Sequence, residues 1–337
     1  MPQPASPLRH PRAAAPRRRT LLGWACASTV AASGLVRAQD TRPVRLIVPF
    51  PAGGATDAIT RLAAETMTTQ LGQPCVVENR PGAAGNIAGE YVARAPADGH
   101  TLLVAGQSLL FINKALYRNL SFDPDADFSL VGMLGDFPNV VVSNADALPV
   151  HNIAELIALA RAKPGTVSYG SNGVGSLSHL TVELMAAEAN VKFLHAPYQG
   201  AAPQMADLLS GRIGFSAIAS QTVMPMIQQK RLRPLAVSTG TRYAELPDVP
   251  TLVESGFQRL DAPVWFALMA PSATPAPMLA KLRTAFASTV AAPRYTAGLQ
   301  RVSALPMQMS TDAALALLAR ERQLWVEAVR ITGATAQ

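Results

Sequence analysis

The chain has 337 residues, of which 49% are hydrophobic and 15% charged; that length suits roughly two domains, and the apolar share excludes a disordered chain. Six of the seven formal net positive charges come from the first 38 residues, which hold six of the 29 Lys and Arg and no acid. The remaining 23 basic residues face 22 acidic ones without aromatic interleaving, which excludes a nucleic-acid-binding surface.

Residues 1–38 read as an export signal peptide. A basic region ends at Arg17-Arg18-Arg19, an apolar stretch runs from Leu21 to Leu35, and Val36-Arg37-Ala38 forms a small-residue cleavage site. The apolar stretch is shorter than a membrane span. Arg18-Arg19-Thr20-Leu21-Leu22 partly matches a twin-arginine signal, so that route and general secretion both stay open. The expected product is a soluble periplasmic protein beginning near Gln39. Cys75 is then its only cysteine, which leaves no internal disulfide and no Cys-based zinc site; its apolar strand pattern predicts a buried, inert thiol.

Strand and helix patterns alternate through the rest. Val44 to Val48 predicts a strand covered on both faces, followed by the loop Pro49 to Thr56 and a helix from about Asp57 to Leu71, closed by Gly72. Cys75 to Val77 predicts a second strand, Arg80 to Gly85 a glycine-rich turn, Asn86 to Ala95 a helix and Thr101 to Ala105 a third strand. Leu130 to Ser143 reads as the passage into a second lobe. There Ile153 to Ala160 predicts a helix, Val167 to Tyr169 a strand, and Gly170 to Ser176 a loop with a helix after it. Further strands are expected at Lys192 to Ala196 and Leu232 to Ser238. Trp265 to Met269 predicts a strand, Pro277 to Ala291 a helix and Thr311 to Arg330 a long terminal helix. Repeated β-loop-α units imply parallel strands joined by right-handed crossovers.

Three loops share one design: a strand ends, small residues follow and a helix begins. Backbone N–H groups there lack intrahelical partners and the helix dipole adds positive potential, so an anion can bind without a cationic side chain. The first is Ala52-Gly53-Gly54-Ala55-Thr56-Asp57, where Thr56 offers a hydroxyl and a possible cap, and Asp57 a cap or a ligand contact. The second is Ser171-Asn172-Gly173-Val174-Gly175-Ser176, the third Gln199-Gly200-Ala201-Ala202. The second has neither the spacing of a dinucleotide fingerprint nor the Gly-Lys-Ser/Thr ending of a P-loop. No G-x-S-x-G, HExxH or CxxC occurs. His100, His151, His179 and His195 are scattered singly, and His179 with Glu183 reads as a surface or capping pair. No catalytic residue, metal or cofactor is expected.

Several stretches resemble the Bug-type substrate-binding receptors of tripartite tricarboxylate transporters. They are Val48-Pro49-Phe50-Pro51-Ala52-Gly53-Gly54-Ala55-Thr56-Asp57, Val76 to Ile87, Ala97-Asp98-Gly99-His100-Thr101-Leu102-Leu103, Tyr169 to Leu180, Tyr198-Gln199-Gly200 and Leu246-Pro247-Asp248-Val249-Pro250-Thr251. The resemblance implies an α/β, two-lobe periplasmic-binding-protein (type II-like) fold, each lobe a mostly parallel sheet flanked by helices, that closes on its ligand by hinge motion. Residues 39–139 and 245–337 would form lobe 1 and 140–244 lobe 2. It also implies a small carboxylate ligand (a di- or tricarboxylate, amino acid or aromatic acid) and membrane permease subunits as partners. Carried onto this chain, the ligand-binding residues are Ala52, Gly53, Gly54, Thr56 and Asp57, then Asn172, Gly175, Ser176 and Gln199, with Gln107 and Ser108 at the mouth. Relatives carry an acid within Gly211 to Ile218 that can meet a ligand amine; this chain has none there, which leans toward a plain carboxylate. A receptor read by a membrane sensor kinase is the alternative role.

Overall fold

The computed structural model describes residues 42–334 apart from residue 262; the expected signal peptide and its cleavage site lie outside the described residues. Strands β1 (Val44–Val48), β2 (Cys75–Asn79), β3 (Thr101–Gly106), β4 (Phe128–Phe137) and β10 (Val264–Pro271) form one sheet in the order β2-β1-β3-β10-β4. Strands β5 (Asn139–Asn144), β6 (Ser168–Ser171), β7 (Leu194–Pro197), β8 (Phe215–Ala219) and β9 (Leu232–Val237) form a second in the order β7-β6-β8-β5-β9. β1 is parallel to β2 and β3, and β10 antiparallel to both of its neighbours. In the second sheet β6 is parallel to β7 and β8, and β5 antiparallel to β8 and β9. Each sheet thus has four strands running one way and one reversed. In both, the reversed strand is the one by which the chain arrives from the other sheet.

Helices follow the strands. Helix α1 (Ala55–Leu71) starts two residues earlier than expected and buries Ile59, Ala63 and Met67, a four-residue spacing that keeps one stripe on the sheet. Gly72, at φ 67°, closes it. A π-helical turn, Ser108–Ile112, leads from β3 into the short helix α3 (Asn113–Leu116). Helices α2 (Asn86–Ala93), α4 (Ile153–Ala162), α5 (Leu177–Ala189), α6 (Ala201–Leu209), α7 (Ser220–Gln228), α8 (Ala276–Val290) and α9 (Pro293–Gln300) complete the layers. The terminal helix α10 (Thr311–Thr332) is capped by Ser310, whose Oγ accepts the Ala313 N–H. It packs against α5 and also against the π-helical turn and β4. Its Trp325 and Ala328 belong to a core that joins Ile47 and Leu103 of the first sheet to Tyr169 and Phe215 of the second. Cys75 is half-buried rather than fully buried, and burial pushes its thiol up to about 11, so it is inert at neutral pH.

The registers bring two sheet edges face to face. β4 and β3 run the same way, because both are antiparallel to β10, so Val48, Gly106 and Phe137 all end at one edge. One residue, Pro138, separates Phe137 from Asn139, which pairs with Ala219 at the end of β8. The C-terminal edge of the first sheet therefore continues directly into that of the second. The loops that follow β1, β2 and β3 leave one of these edges and those that follow β6 and β7 leave the other, the location where open α/β sheets place their ligands.

Candidate functional site

The loop after β1 folds around a single carboxylate. Gly53 takes φ +87° and donates its N–H to Asp57 Oδ2 at 3.0 Å. Arg61 adds 2.9 and 3.0 Å bonds to the two oxygens, and Asn79 Nδ2 donates to Oδ1 at 2.9 Å. Burial alone would raise the acid; these hydrogen bonds, from Arg61, Gly53 and Asn79, outweigh it and hold Asp57 at about 2. Asp57 is thus neither a helix cap nor placed to meet an anion: it clasps its own loop. The cap position is Gly54, not Thr56, and no side chain caps the helix. The N–H groups of Ala55, Thr56 and Asp57 are left without intrahelical partners, since the first bond is Ala58 N–H to Gly54 O. Asp57→Ala should lower stability by about 1–2 kcal/mol near pH 7. Because the folded value lies below the ordinary 3.8, the difference between variant and wild type should persist above pH 4 and vanish as pH falls through 2, read by urea unfolding across pH. An undiminished difference at low pH would contradict the clasp.

The loop after β6 is built from hydroxyls and imidazoles. Ser176 Oγ caps α5 by accepting the His179 N–H and donates to Gly173 O at 2.7 Å, while the Asn172 N–H donates to Ser178 Oγ at 3.0 Å. Gly175, at φ +75°, donates its N–H to His179 Nδ1 at 3.1 Å. His179 stacks on His195 with ring centroids 4.1 Å apart, and His195 Nε2 lies 2.7 Å from Ser171 Oγ. Burial lowers both imidazoles to about 4, so both are neutral and His179 Nδ1 is an acceptor. Glu183 accepts the Tyr169 hydroxyl at 2.6 Å, so His179 and Glu183 serve different partners rather than each other. Asn172 and Gln199 side chains are exposed at this edge, and Gly200 opens α6 with no side-chain cap.

Several expected site residues thus move to a supporting role. The Gly53 and Gly175 N–H groups are occupied within their own loops. Gln107 is 2% exposed; its amide donates to Pro263 O at 2.6 Å and to Glu321 Oε2 at 3.3 Å, so its side chain lies beneath the mouth rather than in it. Ala52 and Gly54 are exposed at the edge, and Ser108 is half-buried there. Ser178, His179 and Glu321 organise these loops, and sequence reasoning did not assign them there. The turn after β2 joins the same edge with two consecutive alanines, Ala83 and Ala84, at φ 46° and 53°. Asn113 holds it by donating to Ala84 O at 3.0 Å. The lobes touch where Leu116 of α3 meets Gly175. Among the described residues no group of three or more His, Cys, Asp or Glu could hold a metal ion, and no helix is long and apolar enough to cross a membrane.

Known proteins share this arrangement. The model of the tripartite tricarboxylate transporter family receptor matches residues 59–332. Protein BugT of Bordetella pertussis is 35% identical over 294 residues, 87% of this chain and 90% of that one. The R. palustris protein Rpa4515, solved with adipate, superposes with a TM-score of 0.77 at 33% identity, covering 88% of this chain and 99% of that one. MatC from Rhodopseudomonas palustris, solved with bound malate, gives 0.73 at 28% identity, covering 86% and 99%. With two sheets joined through a one-residue connection and loops of exposed backbone at the junction, the chain belongs to the tripartite tricarboxylate transporter receptor family, as a Bug-type solute-binding receptor and not an enzyme.

Proposed function

We propose that this receptor works in the periplasm, after removal of a signal peptide near Ala38, and captures a small organic dicarboxylate between its lobes for a tripartite membrane permease. The lobes would divide as 39–139 with 245–337 against 140–244. The observation that carries the reading is the pair of uncapped helix starts, at α1 and α6, in loops with no cationic side chain of their own. Such N-termini bind carboxylates through backbone N–H groups and the helix dipole. The adipate and malate held by the two R. palustris relatives support this ligand class.

The test is thermal unfolding of residues 39–337, refolded from denaturant to strip carried ligand, against adipate, malate, succinate and citrate. A ligand at 100 times its Kd should add about 2.7 kcal/mol. Gly54→Asp provides the specific control. Gly54 has φ −81°, and an added Cβ meets nothing closer than Pro51 O at 3.9 Å, so the variant should fold and cap α1 by itself. Its midpoint should hold or rise while the ligand shift disappears. A ligand shift unchanged in Gly54→Asp would remove α1 from the site, and no shift with any acid would sink the carboxylate reading.

A further inference from the structure

Behind the anion loops lies a group of carboxylates that the binding geometry leaves unused. Glu321 of α10 is 1% exposed; its Oε2 accepts from Trp325 Nε1 at 3.1 Å and from Gln107, while the Trp265 indole faces it without a hydrogen bond of normal geometry to Oε1. Asp136 is the penultimate residue of β4, beside the Pro138 connection, and its buried Oδ1 is without a partner. It shares a register position with Trp265 at the start of β10. Asp261, two residues ahead of Pro263 on the returning connection, adds a third negative charge that acts on Asp136, together with Glu321. The facing groups are otherwise neutral donors, Gln107, Trp265 and Trp325, with Arg320 of α10 a weak counter-charge to Glu321. Burial, reinforced for Asp136 by its two acidic neighbours, pushes both Asp136 and Glu321 up to about 7.

Asp136 and Glu321 sit at the sheet edge that carries the anion loops. Gln107 ties Glu321 to the end of β3, and Asp136 ends β4 at the same level. An anion arriving at that edge repels the charged form of each carboxyl and favours the protonated one. We infer that anion capture by this receptor is coupled to proton uptake at Asp136 and Glu321, so that binding tightens on the acidic side of neutrality and loosens on the alkaline side. No bond is made or broken; one solvent proton moves onto a carboxylate oxygen as the ligand seats, and leaves when it departs. The inference rests on the carboxylate reading above and adds a proton to it.

The experiment is titration calorimetry with adipate, malate, succinate and citrate at about pH 7.5, in two buffers of different ionisation enthalpy. Carboxyls of the linear acids are fully ionised there, so any proton taken up belongs to the protein. Wild type should take up about half a proton or more per ligand, and affinity should fall several-fold to about tenfold per pH unit from pH 7 to 8. Asp136→Asn and Glu321→Gln should each reduce the uptake, and the double variant should abolish it. Binding with no uptake in wild type, or uptake unchanged in the double variant, overturns the inference. Absence of heat with every acid would instead show that the carboxylate reading itself has failed, and this one with it. Should the variants not fold, carbon NMR of the carboxyls in wild type, with and without ligand, reads the same outcome: their midpoints near 7 must move up on binding, and fixed midpoints refute the coupling.

Discussion

Trp325→Ala should lower the unfolding free energy by about 3–5 kcal/mol, the range for truncating a large buried aromatic. The indole is 0% exposed and lies in the core that α10 shares with both sheets. Its loss leaves a cavity in that core and removes a donor from the buried Glu321. Because that helix touches elements of both lobes, the loss should appear as one cooperative transition at lower urea, without a shoulder from a surviving lobe. Val326→Ala, one residue on and 44% exposed, should move stability by no more than about 0.5 kcal/mol. A Trp325 effect below about 1 kcal/mol would mean that α10 is peripheral to stability.

Gly175→Ala should weaken ligand binding by about thirtyfold or more while leaving the protein folded. Two costs add. At φ +75° an alanine is strained by roughly 1–2 kcal/mol. Its Cβ would also stand 2.2 Å from Leu116 Cδ1, so that buried leucine must move, at about 1–3 kcal/mol. Both costs fall on the loop that carries Ser176 and on its contact with Leu116 of the opposite lobe. Adding Leu116→Ala should recover the steric part and leave the backbone part, which calorimetry of the double-mutant cycle would separate. No coupling between the two substitutions would mean that the lobes do not meet at this point when ligand is bound.

The sequence was most legible where one residue type has one physical use. Gly72 stops α1 where expected, and the β-rich run Val44–Val48 is the doubly covered strand that its composition describes. Strand β8 was not legible. Phe215-Ser216-Ala217-Ile218-Ala219 has no alternation because it lies at the centre of its sheet, and small residues there make room for Gln204, which donates to Ser216 Oγ. Helices α7 and α9 went unassigned, α7 in part because Pro225 interrupts its pattern. At the candidate site, the order of strand, loop and helix was legible but the inner bonds of the loops were not. Whether Gly53 offers its N–H outward or to Asp57 four residues on depends on backbone geometry that spacing does not encode. Glu321 could not be placed at all, because its partner Gln107 lies 214 residues away.

The indoles give the base of the candidate site an optical signature. Beyond the first 38 residues the chain has two tryptophans, Trp265 and Trp325, and both border Glu321. Trp265 is the second residue of the strand by which the chain returns to the first sheet, with its ring edge-on to Phe111 of the π-helical turn. Light emitted by these two indoles therefore originates where the end of the first sheet meets the terminal helix. A change of charge or of packing there is reported without any attached dye.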